Sequence, residues 1–116
     1  MKTSPSEFRF GRDFTWSHAE KAIARKAFNL ALGRELDAVI REAKHRASKI
    51  TQPSELWDLE HYLTGRRQSI DRTYDYRYSV LPRVLGDLIR KGRLTEDDLH
   101  GLSEDKLAYI HQVATH

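Results

Sequence analysis

From Ser17 to Ser48 the chain reads as one uninterrupted helix, and that length is what most restricts the fold. Apolar residues recur at Phe28, Leu32, Leu36, Ile40, Ala43, Ala47 and Ile50. Steps of three and four place such side chains on one side of an α-helix. Ser17 with Glu20 three residues later forms a capping-box pair at the start. Asp37 with Arg41, and Glu42 with Arg46, are spaced to pair along the surface. Gly33 is the one weak point, at a cost of about 1 kcal/mol against alanine. A helix of about 32 residues spans roughly 48 Å, whereas a compact chain of this size has a radius of gyration of about 13 Å. The helix therefore overhangs any globule the rest could form, and the overhang carries the apolar stripe.

Thr51-Gln52-Pro53 breaks the pattern. Pro53 suits the first turn of a second helix, where its missing N–H costs little. That helix is expected to run to about Tyr76, with a stripe of Leu56, Leu59, Leu63, Ile70 and Tyr74 that Arg66 interrupts. Ser79 is the expected cap of a third helix, with Pro82 in its first turn and Gly92 past its end. Thr95 opens a short helix through Glu96, Asp97 and Asp98, and Ser103 caps a last one through Leu107, Ile110 and Val113. The expected class is all-α, in one domain over 16–116 that follows a flexible leader at 1–15 containing Phe8, Phe10 and Phe14. The second helix can fold back on the first as an antiparallel hairpin. Two hairpins from two chains would cover the remaining stripe. This predicts a homodimer with a stem over about 17–78 and a head over about 79–114. A kink near Gly33 that yields a compact monomer is the alternative.

Composition excludes several function classes. Cysteine is absent, so disulfides, thiolate nucleophiles and cysteine-based zinc sites are ruled out. Six histidines, at 18, 45, 61, 100, 111 and 116, show no metal-ligand spacing. No glycine-rich phosphate loop occurs. Neither a metal, a cofactor nor an enzymatic constellation is expected. No apolar run reaches the roughly 18 residues needed to span a bilayer, and the expected location is the cytoplasm. Net charge is +3, and it is unevenly spread: eight Lys/Arg against four Asp/Glu over 17–50, two against five over 93–116. Lys21, Arg25, Arg41, Lys44 and Lys49 invite a nucleic-acid reading. Interleaved acids and the lack of a binding motif weigh against it.

Trp57 poses the sharpest question. At about 100° per residue, Trp57, Glu60, His61, Thr64, Gln68 and Asp71 share one side of the second helix, with Arg67 at its border with the stripe. A tryptophan among polar residues admits three readings. It is covered by helix one or a second chain, with its indole N–H on an acceptor such as Glu60; it anchors a protein partner within a polar rim; or it lines a ligand pocket.

The order "TWSHAE", "ALGRELDAVI", "ASKITQPSELWDLEHYLTGRRQSIDRTYDYRYSVL", then a glycine-ended helix and "LSEDKLAYI" resembles the fluorescence recovery protein family of cyanobacteria over about residues 15–114. Trp16, Arg34-Glu35-Leu36-Asp37, Ile50, Leu56-Trp57, Leu63, Arg67, Ile70-Asp71, Tyr74-Asp75, Arg77 and Ser79-Val80 carry the match. The resemblance implies a stem-and-head dimer without bond chemistry. It implies binding to the photoactivated orange carotenoid protein, mainly its C-terminal domain, and faster return of that protein to its resting form. It places dimer or partner contacts at Trp57, Glu60, His61, Arg67 and Asp71, and head contacts at Arg83 and Tyr109. The family's His-Asp pair is replaced here by Glu60-His61; Arg83 stands where the family has phenylalanine, and Tyr109 where a lysine is expected. An interaction module for some other partner is the alternative function these departures leave open.

Overall fold

The structure, a computed structural model, describes residues 14–116. These are helical throughout, with no strand among the described residues: α1 (His18–Ser48), α2 (Pro53–Thr73), α3 (Leu81–Arg90), a 3-10 turn (Glu96–Leu99) and α4 (Glu104–Ala114). The expected leader lies outside the described residues except for its last two, and so do Phe8 and Phe10. Phe14 packs edge-on to Tyr109, ring centres 5.9 Å apart.

Local chemistry sets most boundaries. Ser17 N–H donates to Glu20 Oε1 at 3.0 Å while Glu20 N–H donates to Ser17 Oγ at 3.1 Å, the reciprocal cap expected for α1. Arg46 pairs with Glu42 at 2.8 Å. Pro53 opens α2, and the Glu55 carboxylate accepts from the N–H groups of Thr51 and Gln52, both at 2.8 Å. Gly92, at φ +80°, follows α3; its N–H reaches Ile89 O at 2.9 Å and the Arg93 N–H reaches Leu88 O at 2.8 Å. That bond pair is a Schellman stop, which favours glycine. Thr95 caps the 3-10 turn as expected.

Two boundaries differ from expectation. α2 stops at Thr73 rather than near Tyr76. Tyr74 leaves the helix at φ −92°, ψ 77°. Its ring packs edge-on to Phe28 at 5.5 Å. Its hydroxyl lies 3.2 Å from Ala31 O and 3.1 Å from Glu35 Oε1. These tertiary contacts outweigh one more turn of helix. Ser79 is not the cap of α3: Val80 holds that position, brought in by a turn in which its N–H donates to Arg77 O at 3.0 Å.

The core is built from α3 and α4 against the first half of α1. Leu81, Val84, Leu85 and Leu88 meet Leu94, Leu99, Leu102 and Ile110, and α1 contributes Ala24, Ala27, Phe28 and Ala31. Alanines at that face let α1 lie close, and Gly101 does the same for the loop before α4. A Cβ at Gly101 would stand 2.5 Å from Ile23 Cδ1, and its φ is +107°. The Ile23 methyl can turn aside, so the left-handed backbone sets the cost, and Gly101→Ala is expected to lose about 2 kcal/mol. A lowered urea midpoint with unchanged slope would register it; an unchanged midpoint would show that the loop gives way freely.

Among the described residues, three charged side chains are buried: Glu20, Glu35 and Lys106. Lys106 Nζ lies 3.1 Å from both Glu20 oxygens, and the Ser103 N–H donates to Glu20 Oε2 at 2.8 Å. Burial opposes the Glu20 charge, but the N–H groups of Ser17 and Ser103 and the Lys106 ammonium bring its pKa down to about 2. Glu35 gathers Arg66 from α2, Arg93 from beyond α3 and the Tyr74 hydroxyl. Burial again opposes ionisation, and Arg93, Tyr74 and Arg66 together hold its carboxyl below the usual range. Arg66 thus interrupts the apolar stripe because it serves as counter-ion to a buried carboxylate.

Along α1 and α2, Arg46 stacks over Tyr62 at 4.2 Å, Glu35 meets Arg66, and Ala31 meets Tyr74. The contacts descend α1 as they ascend α2. The radius of gyration is 17.6 Å, well above the roughly 13 Å of a compact chain this size. α2 has no buried residue along its 21.

Candidate functional site

Large apolar side chains stand exposed at Leu36, Ile40, Leu56, Trp57 and Leu63, all on α1 and α2. Ile40 is 50% exposed and Trp57 61%. Leu36 follows Glu35, which contacts α2, by about 100° of helix; Leu63 follows Tyr62, which contacts α1, by the same angle. Because the helices run in opposite directions, that rotation carries both sets to the same side of the pair. Leu36, Ile40, Leu56 and Leu63 therefore form one apolar face that this chain leaves uncovered.

Trp57 lies elsewhere. It is about half a turn from the α2 residues that touch α1, on the outer edge of the pair. The reading in which helix one covers it is overturned by its exposure. The polar neighbours lie where the spacing put them. Glu60 accepts from Thr64 Oγ1 at 2.9 Å, and its other oxygen is 3.7 Å from His61 Nδ1. The His61 side chain is 83% exposed. Arg67 and Asp71 are exposed, and neither is ion-paired among the described residues. Glu60 and Arg67 flank Leu63 along the apolar face. Seven residues separate them, about 10 Å along the axis, which is too far to pair within one chain.

Arg83 and Tyr109 come near each other where α3 packs on α4. Arg83 is exposed and lies 3.7 Å from Asp87. Burial raises the Tyr109 hydroxyl pKa, the Arg83 charge lowers it and the Asp87 charge raises it. The structure thus brings Arg83 near Tyr109 and sets Glu60 and Arg67 on either side of Leu63 without pairing them.

One aromatic array was missed in the sequence. Trp16, Tyr78, Tyr76 and Phe28 stack in series at 5.4, 5.4 and 4.8 Å, and Arg25 lies 3.6 Å over the Tyr76 ring. The signal was the alternation Tyr74, Tyr76, Tyr78, a period of two that marks extended backbone rather than helix. No group of His, Asp or Glu among the described residues could hold a metal ion. Among the described residues no helix is long and apolar enough to cross a membrane.

Residues 16–114 match the model of a family described as photoprotection regulator fluorescence recovery protein. The chain is 37% identical over 99 residues to the fluorescence recovery protein of Synechocystis sp., covering 85% of this chain and 91% of that protein. Its fold is similar to the fluorescence recovery protein of Fremyella diplosiphon, with a TM-score of 0.84 at 38% identity over 88% of this chain and 100% of the other. The structure of the Synechocystis protein gives a TM-score of 0.84 at 36% identity, with the same coverage.

Proposed function

The chain belongs to the fluorescence recovery protein family of photoprotection regulators, and on that footing we propose that it acts as a homodimer that binds the photoactivated orange carotenoid protein and speeds its return to the resting state. The observation that carries this reading is the collinear match over residues 16–114. The uncovered apolar face supports the dimer. In this reading α1 and α2 form the stem and residues 79–114 the head. In a two-fold assembly, groups equally spaced about the axis meet their counterparts. With the axis near Leu63, Glu60 of one protomer comes level with Arg67 of its partner, and the exchange occurs twice. Asp71 then borders the seam, Trp57 stands at its outer edge, and His61, about 160° round α2 from Leu63, is left open to a partner, while Arg83 with Tyr109 offers a second contact on each head.

Such a protein makes and breaks no bond. It shifts a population by binding its target more tightly on the way to the resting state than in the activated state. The deciding experiment mixes the protein with photoactivated orange carotenoid protein in darkness and follows the red-to-orange change. Saturable acceleration is expected. None at saturating concentration would reject this partner and leave the fold untouched. The second reading, an interaction module for a different protein, would then stand; it is favoured by the departures at Glu60-His61, Arg83 and Tyr109 from the family pattern.

Trp57→Ala tests the anchor. A rigid aromatic at a seam is worth about 2 kcal/mol, so dimerisation or partner binding is expected to weaken about 30-fold with helix content unchanged. A variant indistinguishable from the parent in sedimentation and in recovery rate would remove Trp57 from the site.

A further inference from the structure

Among the described residues, Leu30 of α1 is the one large exposed apolar residue off the apolar face and away from Trp57. It is 38% exposed. It lies about 100° round α1 from Leu36 and Ile40, so a second chain on that face would leave it open. Leu30 forms the floor of a groove with Ile23 and Ala27. Lys26 makes one bank, and Asp97, Asp98 and His100 make the other. The volume is about 270 Å³, below the roughly 300–1,000 Å³ of small-molecule sites. That size suits a side chain better than a cofactor.

The groove is already rigid. Ala27 is fully packed, Ile23 lies where a side chain at Gly101 would stand, and Asp98 is held by Arg34 at 3.0 Å and by the Thr95 N–H at 2.9 Å. Preformed walls lower the cost of binding. The banks carry opposite charge. Lys26 and Asp97 are exposed, and neither is ion-paired among the described residues. His100 shares the acidic bank.

We infer that this groove docks a segment of a partner protein bearing one aliphatic side chain flanked by a cation on one side and a carboxylate on the other. The aliphatic group seats on Ile23, Ala27 and Leu30; the cation faces Asp97 and the carboxylate faces Lys26. This inference does not depend on the function proposed above.

The test uses the full chain, isotope-labelled, and three synthetic helical peptides with one leucine each. Its flanking residues are Glu and Arg, two Glu, or two Arg. Amide shifts at Ile23, Leu30 and His100 are expected with the mixed peptide, and about fivefold weaker binding with either like-charged one. Asp97→Lys should transfer the preference to the two-Glu peptide, and Leu30→Ser should remove the shifts. Equal response to all three peptides, shifts centred on Leu36 and Leu63, or a preference unmoved by Asp97→Lys would overturn the assignment. So would a lower mass for unliganded Leu30→Glu, which would make the groove a contact between copies.

Discussion

Leu36→Glu with Leu63→Glu is expected to reduce the protein to a species of 13.5 kDa by light scattering, where the proposed dimer would scatter at twice that mass. Each leucine is roughly half covered in the single chain, so closing the seam gains about 1 kcal/mol per side chain. Two-fold symmetry doubles the number of affected sites. Four carboxylates facing an apolar seam would cost at least as much again. Even half of that sum, about 4 kcal/mol, weakens association roughly a thousandfold. Glutamate is a good helix former, so the separated chains should keep their helix content. A parent that already weighs 13.5 kDa, or a variant of unaltered mass, would refute the dimer.

Lys106→Met is expected to be the most destabilising single change. It leaves the Glu20 carboxylate buried with two backbone N–H groups but no counter-ion. Breaking one side of a buried pair costs about 3–5 kcal/mol, a large part of a small domain's total of about 5–15 kcal/mol. Glu20→Gln with Lys106→Met should recover much of the loss, because no isolated charge is left behind. Acid should act on the same pair. Glu20 has a folded pKa of about 2 against 4.5 ordinarily. Its contribution, up to about 3 kcal/mol, is complete above pH 4.5 and fades as pH falls toward 2. Urea midpoints at pH 7, 4 and 3 measure it. In Glu20→Gln the decline over that window should shrink; an identical decline would assign the acid sensitivity to other groups.

The features legible in the sequence were those whose chemistry is local. The Ser17–Glu20 cap, Pro53, Gly92 and Thr95 each act within a few residues of themselves, and each falls where the pattern put it. The placement of Trp57 on the polar side of α2 follows from helical spacing alone. What was not legible depends on distant partners. The face of α1 that packs inward is the alanine side, Ala24, Ala27 and Ala31, while Leu36 and Ile40 point out. Periodicity finds both stripes but cannot say which neighbour each will meet. Arg66 looked like a defect because Glu35 lies 31 residues away. Tyr74 looked helical because its contact with Phe28 is more remote still. Ser79 looked like a cap because nothing local announces that Val80 will be drawn in.

The Glu20 pocket also bears on how the chain matures. The carboxylate is close to the beginning of the polypeptide, and its ammonium partner comes 86 positions later. A nascent chain emerging from a ribosome would wind its longest rod early, since helices form from near neighbours. That rod's opening turn then waits, charged and unbalanced, until the segment carrying Lys106 has been made. Loss of the final dozen residues would therefore be felt most at the opposite terminus, where the truncated product would offer proteases an unlatched end.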